Sequence, residues 1–163
     1  MRNYTTQMDA ARQGIITKEM VEVAKKERMT EEALRELVAK GQVAICSNKH
    51  HHSLNPEGVG SMLRTKINVN LGVSRDCKDY NIEMEKVMAA IDQGAHAIMD
   101  LSSHGDTSPF RKKLIKECPA MIGTVPVYDS VIHYQRDLGT LTAKDFIDVV
   151  RIHAEDGVDF VTL

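Results

Sequence analysis

From Thr65 to the end of the chain, short apolar runs alternate with longer stretches of helical period, and this alternation restricts the fold more than any other feature. The run KINVNL (66–71) reads as a strand, followed by a helix through Ile82, Met84, Val87, Met88 and Ile91 that stops at Gly94. Residues 97–101 form the next expected strand. A helix from Ser108 and Pro109 then runs through Phe110, Leu114 and Ile115, with proline in an early-turn position that it tolerates. Residues 120–128 supply a third strand, a helix capped by Thr142 runs through Phe146, Ile147, Val149 and Val150 to Gly157, and residues 158–163 begin a fourth. Strands separated by helices of this length pair in parallel, so the expected fold is α/β, built of successive βα units with right-handed crossovers.

Asn70, Met99 and Tyr128 each fall near the C-terminal end of an expected strand and recur at an interval of 29 residues. In a β/α barrel the loops at that end converge on one mouth, where active sites form. Asn68, Asn70, Asp100 and Thr124 also place hydrogen-bonding groups where a buried strand is normally apolar. Their partners are either a ligand or neighbouring strand ends and ordered water. Three positions in register favour a site.

The first 63 residues have a different pattern. Thr17 caps a helix carrying Met20, Val21, Val23 and Ala24, and Thr30 caps a second carrying Ala33, Leu34, Leu37 and Val38, which ends at Gly41. A short apolar stretch at 43–45 leads into the polar run 47–52, and Pro56, Gly58 and Gly60 mark a loop. The chain therefore divides into a helical region with its loop, 1–63, and the βα units, 64–163.

Charge and composition exclude several function classes. With 21 basic and 23 acidic residues interspersed and a formal net charge of −2, there is no electrostatic footprint for nucleic acid or an anionic membrane surface. No apolar run approaches the roughly 20 residues of a membrane span, and the polar N-terminus is unlike a signal peptide, so the expected location is the cytoplasm. Cys46, Cys77 and Cys118 are too widely spaced for a metal clamp and odd in number for a disulfide framework, and read as reduced thiols.

The stretches TTQMDAARQGIITKEM (5–20), LRTKINVNLGVS (63–74), AIMDLSSHGDT (97–107), MIGTVPVYD (121–129) and HAEDGVDFVTL (153–163) resemble the N-terminal half of the phosphomethylpyrimidine synthases, the ThiC family of thiamine biosynthesis. The resemblance covers essentially the whole chain. It implies a small helical N-terminal region, a (β/α)8 TIM-type barrel of which this chain holds the first units, and a later segment carrying a [4Fe-4S] cluster. It also implies an atypical radical S-adenosylmethionine lyase. In this family a 5′-deoxyadenosyl radical starts the rearrangement of 5-aminoimidazole ribotide into 4-amino-5-hydroxymethyl-2-methylpyrimidine phosphate, with formate and carbon monoxide as by-products. A zinc or similar divalent metal, an electron donor for the cluster and a homodimer belong to the same expectation.

By resemblance, the family's substrate contacts fall on Asn70, Met99 and Tyr128. The Asn70 amide can both donate to and accept from the ribotide, the Tyr128 hydroxyl can bond phosphate or ring nitrogen, and Met99 can pack against the flat imidazole. No catalytic residue and no metal ligand is assigned within this chain. The family's histidine after the VDFVT strand, its SRG and DG-x-R turns, its two metal-binding histidines and its CxxCxxxxC motif have no counterpart in these residues. The resemblance thus implies a fragment of a longer chain, inactive by itself and poorly folded in isolation. Two other functions remain open: the related 5-hydroxybenzimidazole synthase, which uses the same ribotide, and a non-catalytic truncated module that binds a full-length copy.

Where many relatives read IPAN-x-NH, this chain reads Ile45-Cys46-Ser47-Asn48-Lys49-His50-His51-His52. Adjacent histidines on an extended chain point in alternate directions, so His50, His51 and His52 read as a solvated loop in place of a metal site. Asp100 with Ser102, Ser103 and His104 reads as a loop, and Lys25, Lys26, Lys112 and Lys113 as solvated helix exteriors.

Overall fold

A computed structural model describes residues 3–163. They form two compact units, one comprising the chain up to Ser47 together with Pro56–Lys66, the other Asn48–Asn55 together with Ile67–Leu163.

The first unit contains α1 (Gln7–Arg12), α2 (Lys18–Glu27), α3 (Glu31–Ala39), β1 (Val43–Ile45) and β2 (Gly58–Gly60). Threonine begins each helix: the side chains of Thr6, Thr17 and Thr30 accept from the backbone N–H groups of Asp9, Met20 and Ala33, satisfying donors that a helix start leaves open. Met20, Val23 and Ala24 from α2 meet Leu34 and Val38 from α3 and Val43 and Ile45 from β1 in one buried cluster. The segment around Gly58, expected as loop, pairs antiparallel with β1 instead, Val43 opposite Gly60 and Ile45 opposite Gly58. Its glycines are there for close approach: a Cβ on Gly60 would sit 2.1 Å from the Gln42 carbonyl oxygen. Lys26 is not solvated either, since its Nζ donates to the Pro56 carbonyl at 2.7 Å and to Glu57 Oε1 at 2.8 Å.

The second unit alternates β3 (Asn68–Leu71), α4 (Tyr80–Asp92), β4 (Ala97–Asp100), α5 (Ser108–Glu117), β5 (Met121–Thr124), α6 (Pro126–Tyr134), α7 (Ala143–Asp156) and β6 (Phe160–Val161). The four strands form one parallel sheet in chain order, β3-β4-β5-β6, as the alternating pattern predicts. Thr142 and Asp145 close α7 with reciprocal side-chain bonds, and Gly157 ends it at φ 106°. Val87 of α4 and Phe110 and Leu114 of α5 bury against Ile98 and Ile122 of the sheet, with Val69 and Leu71 packed at the margin.

One expected strand is half a helix. The run 120–128 is apolar throughout, but β5 stops at Thr124 and Pro126 opens α6 in its first turn. Proline has no N–H for a strand ladder, while the start of a helix leaves that donor unused. Tyr128 is therefore a residue of the first turn of α6, and Met99 stands opposite Gly123 in the sheet.

Candidate functional site

The register sets which side chains share a face. Asn70 lies opposite Met99 and Asn68 opposite Ala97, so these four project from the same side of the β3–β4 pair. Met121, Gly123 and, through the Gly123–Phe160 pairing, Phe160 extend that face across β5 and β6. Gly123 admits no side chain, because a Cβ would come within 2.4 Å of the Phe160 ring. On the open face, Asn68 Nδ2 donates to Asn70 Oδ1 at 3.1 Å. That bond uses the acceptor of the Asn70 amide, and its nitrogen has no partner among the described residues. Beside it, Met99 is half-buried.

Tyr128 reaches this end of the sheet by another route. It lies four residues beyond the last residue of β5, its N–H bonds the Val125 carbonyl at 3.0 Å, and it is 48% exposed. The interval of 29 residues thus reflects true register for Asn70 and Met99, and a helical first turn for Tyr128.

The loops behind the pair are tied together. The Gly72 N–H donates to Glu83 Oε2 at 3.1 Å, the Val73 N–H to Ser102 Oγ at 2.9 Å, and the Leu101 N–H to the Leu71 carbonyl at 2.7 Å. Gly72 has φ +146°, and a Cβ there would lie 2.5 Å from the Ser102 nitrogen. The chain leaving Asn70 is held against the chain leaving Met99, and only glycine fits between them.

Asp100 and Thr124, for which a ligand was one expected partner, face the helices instead and are answered by protein groups. Asp100 Oδ1 accepts from both the N–H and the hydroxyl of Ser102. Burial pushes the Asp100 carboxyl above its usual range, opposed by those bonds and by the charges of Arg111 and His153. Thr124 Oγ1 is 2.8 Å from His153 Nδ1, and His153 Nε2 is 2.8 Å from Asp129 Oδ2. The Thr107 hydroxyl donates to Asp129 Oδ1 at 2.7 Å and Arg111 Nη1 to Asp129 Oδ2 at 3.3 Å, while Arg111 Nε donates to Asp156 at 2.9 Å. Burial alone would raise the Asp129 carboxyl, but the bonds from His153 and Thr107 and the charge of Arg111 outweigh it and hold the group at about 2. With Asp129 ionised, His153 Nε2 is the donor.

His51, expected in a solvated loop, is buried at the other end of the strands. Its Nδ1 lies 2.7 Å from Asp159 Oδ2 and its Nε2 2.8 Å from the Cys118 carbonyl oxygen. Asp159 also accepts from the Asn48 and Ile122 N–H groups, both at 2.8 Å, and Asn48 Nδ2 donates to the Ala154 and Val158 carbonyls. Only His50 and His52 are exposed. No sequence signal joins His51 to Asp159, which lies 108 residues later. The three cysteines are free thiols. Among the described residues there is no group of three or more His, Cys, Asp or Glu side chains able to hold a metal, and no helix long and apolar enough to cross a membrane.

Comparison with known proteins agrees with this architecture. The chain is 64% identical over 98% of its length to the phosphomethylpyrimidine synthase of Alkaliphilus oremlandii (strain OhILAs), of which it covers 37%. It is 61% identical to that of Alkaliphilus metalliredigens (strain QYMF) and 60% to that of Clostridioides difficile (strain 630), in each case over 99% of this chain and 37% of the relative. The chain thus spans a little over a third of the length of the curated relatives it matches. Residues 6–163 match the family described as Radical SAM ThiC, and the chain belongs to that family.

Proposed function

We propose that the protein carrying this chain is a phosphomethylpyrimidine synthase, converting 5-aminoimidazole ribotide to 4-amino-5-hydroxymethyl-2-methylpyrimidine phosphate in the cytoplasm, as a homodimer. The observation that carries the reading is the 64% identity to a phosphomethylpyrimidine synthase over 98% of this chain. The four-stranded parallel sheet is then the opening part of a (β/α)8 barrel, and the ends of β3, β4 and β5 face its mouth.

In this reading the open face binds the ribotide. Asn70 offers its amide nitrogen to an acceptor on the substrate, Met99 packs against the imidazole, and the Tyr128 hydroxyl bonds a phosphate or ring atom. Adjacent strands lie about 4.8 Å apart, so contacts from three neighbouring strands span about 10 Å, the scale of a ribotide. The bonds joining Gly72, Val73, Glu83 and Ser102 keep Asn70 and Met99 in fixed relation, which removes part of the ordering cost of binding.

The family's iron–sulfur cluster and S-adenosylmethionine supply the radical chemistry when bound. The cysteines described here do not fit a cluster. They are widely separated in sequence, and burial pushes the Cys118 thiol above its usual range, disfavouring the thiolate that ligates iron. We assign the cluster, the S-adenosylmethionine and the divalent metal to other segments of the protein, and derive no step through them from these residues.

The test is to supply the complete protein with 5-aminoimidazole ribotide, S-adenosylmethionine and a reductant under anaerobic conditions, and to identify the product by mass. The pyrimidine phosphate is expected. A 5-hydroxybenzimidazole product would overturn the reading.

A further inference from the structure

We infer that Asp129 is a positioning residue for substrate binding: clasped by His153, Thr107 and Arg111, it fixes the first turn of α6 and thereby the place of the Tyr128 hydroxyl. This rests on the reading of Tyr128 as a ribotide contact.

The first turn of α6 lacks the usual local fastening. Its N-cap, Val125, makes no side-chain bond to the helix, and Pro126 contributes no donor. What holds the turn laterally is Asp129, the residue after Tyr128. Its carboxylate is gripped from two other helices, by Thr107 at the start of α5 and Arg111 one turn later, and by His153 near the end of α7. His153 is in turn tied to Thr124, the last residue of β5, and Arg111 to Asp156 of α7. Every anchor is thus referred back to the sheet end from which α6 departs. Thr107, Arg111 and His153 are each almost fully buried, so the clasp is screened far less than a surface ion pair. Tyr128 remains half-exposed beside it. A residue whose own side chain points to solvent has no packing to fix its backbone, and here the neighbouring carboxylate supplies that fixing. Misplacing a substrate-bonding group by about 1 Å can cost around a hundredfold in rate, so the clasp bears on binding as well as on stability.

The test is a double-mutant cycle between Tyr128→Phe and Asp129→Asn in the complete protein, reading 5-aminoimidazole ribotide affinity by calorimetry without cluster or S-adenosylmethionine, so that radical chemistry does not enter. Tyr128→Phe is expected to weaken binding about tenfold, the loss of one hydrogen bond. Asp129→Asn is expected to weaken it about threefold to tenfold, and the double variant to bind within about twofold of Tyr128→Phe alone, because Asp129 acts through that hydroxyl. A merely structural aspartate would give additive losses. If Tyr128→Phe weakens binding while Asp129→Asn has no effect or adds fully, the positioning role is overturned and the contact stands. If Tyr128→Phe leaves affinity unchanged, the contact itself falls, and the positioning role with it. Should Asp129→Asn fail to fold, Thr107→Val removes one bond to the same carboxylate and is read in the same cycle.

Discussion

Replacing His51 with leucine isolates the buried pair that fastens residues 48–55 beneath β5 and β6. Both ring nitrogens face acceptors, the Asp159 carboxylate and the Cys118 carbonyl, so both donate and the ring is an imidazolium. Burial works against that charge, while the bonds to Asp159 and Cys118 favour it, and the net effect raises the His51 pKa above its ordinary value. Removing one partner of a buried ion pair typically costs about 3 to 5 kcal/mol. Asp159 keeps two backbone donors in the variant, which places the expected loss near the lower end, about 3 kcal/mol. The sign of the pH dependence follows from the direction of the shift. Because the native pKa lies above the unfolded one, the stability from protonation is complete below about pH 6.5 and disappears as pH rises through the native value. The assay is urea unfolding of the complete protein and of His51→Leu, followed by far-ultraviolet circular dichroism, at pH 6 and pH 9. The difference between them should be larger at pH 6. Equal stabilities at pH 6, or a difference that does not change with pH, would refute the charged pair.

Other expectations follow from the same geometry. Asn70→Ala in the complete enzyme removes a polar contact of about 1 to 3 kcal/mol, lowering ribotide affinity and turnover roughly tenfold to a hundredfold, whereas Met99→Leu, which conserves volume, does less; unchanged affinity in a folded Asn70→Ala protein would remove that residue from the site. Gly72→Ala forces a Cβ against the Ser102 backbone at a φ of +146°, so it should destabilise the protein by about 2 kcal/mol or more and weaken ribotide binding, as chemical denaturation and calorimetry would show. Asp129, held at about 2, contributes stability that is present above its unfolded value of about 4 and is lost as pH falls through the native one. Urea midpoints between pH 4 and 2 should therefore fall less steeply in Asp129→Asn than in the parent.

Where structure depends on near neighbours, the sequence was readable. Thr17, Thr30 and Thr142 begin helices, and Gly157 ends one, because capping is settled within a few residues. The Asn70–Met99 match was legible because equal spacing in successive βα units keeps strands level. At Tyr128 the same spacing misled: Val125, Val127 and Tyr128 look like a continued strand, and Pro126 was the local signal that a helix had begun. Asp100 and Thr124 are polar within strands for the sake of Ser102 and His153, partners that periodicity does not specify. His51 was beyond reach altogether. Three consecutive histidines look solvated, and only the folded chain sets one of them against Asp159.

The clasp between residues 48–55 and Asp159 also gives the chain a timetable. Each βα step of the sheet pairs segments about thirty residues apart, which can form soon after they leave the ribosome. Asn48 waits for a partner 111 residues downstream. At about 5 to 20 residues per second, that delay is roughly 5 to 20 seconds. For that interval His51 is an ordinary imidazole in water, and the underside of the nascent sheet is open. The last strand to be made brings the aspartate that closes it.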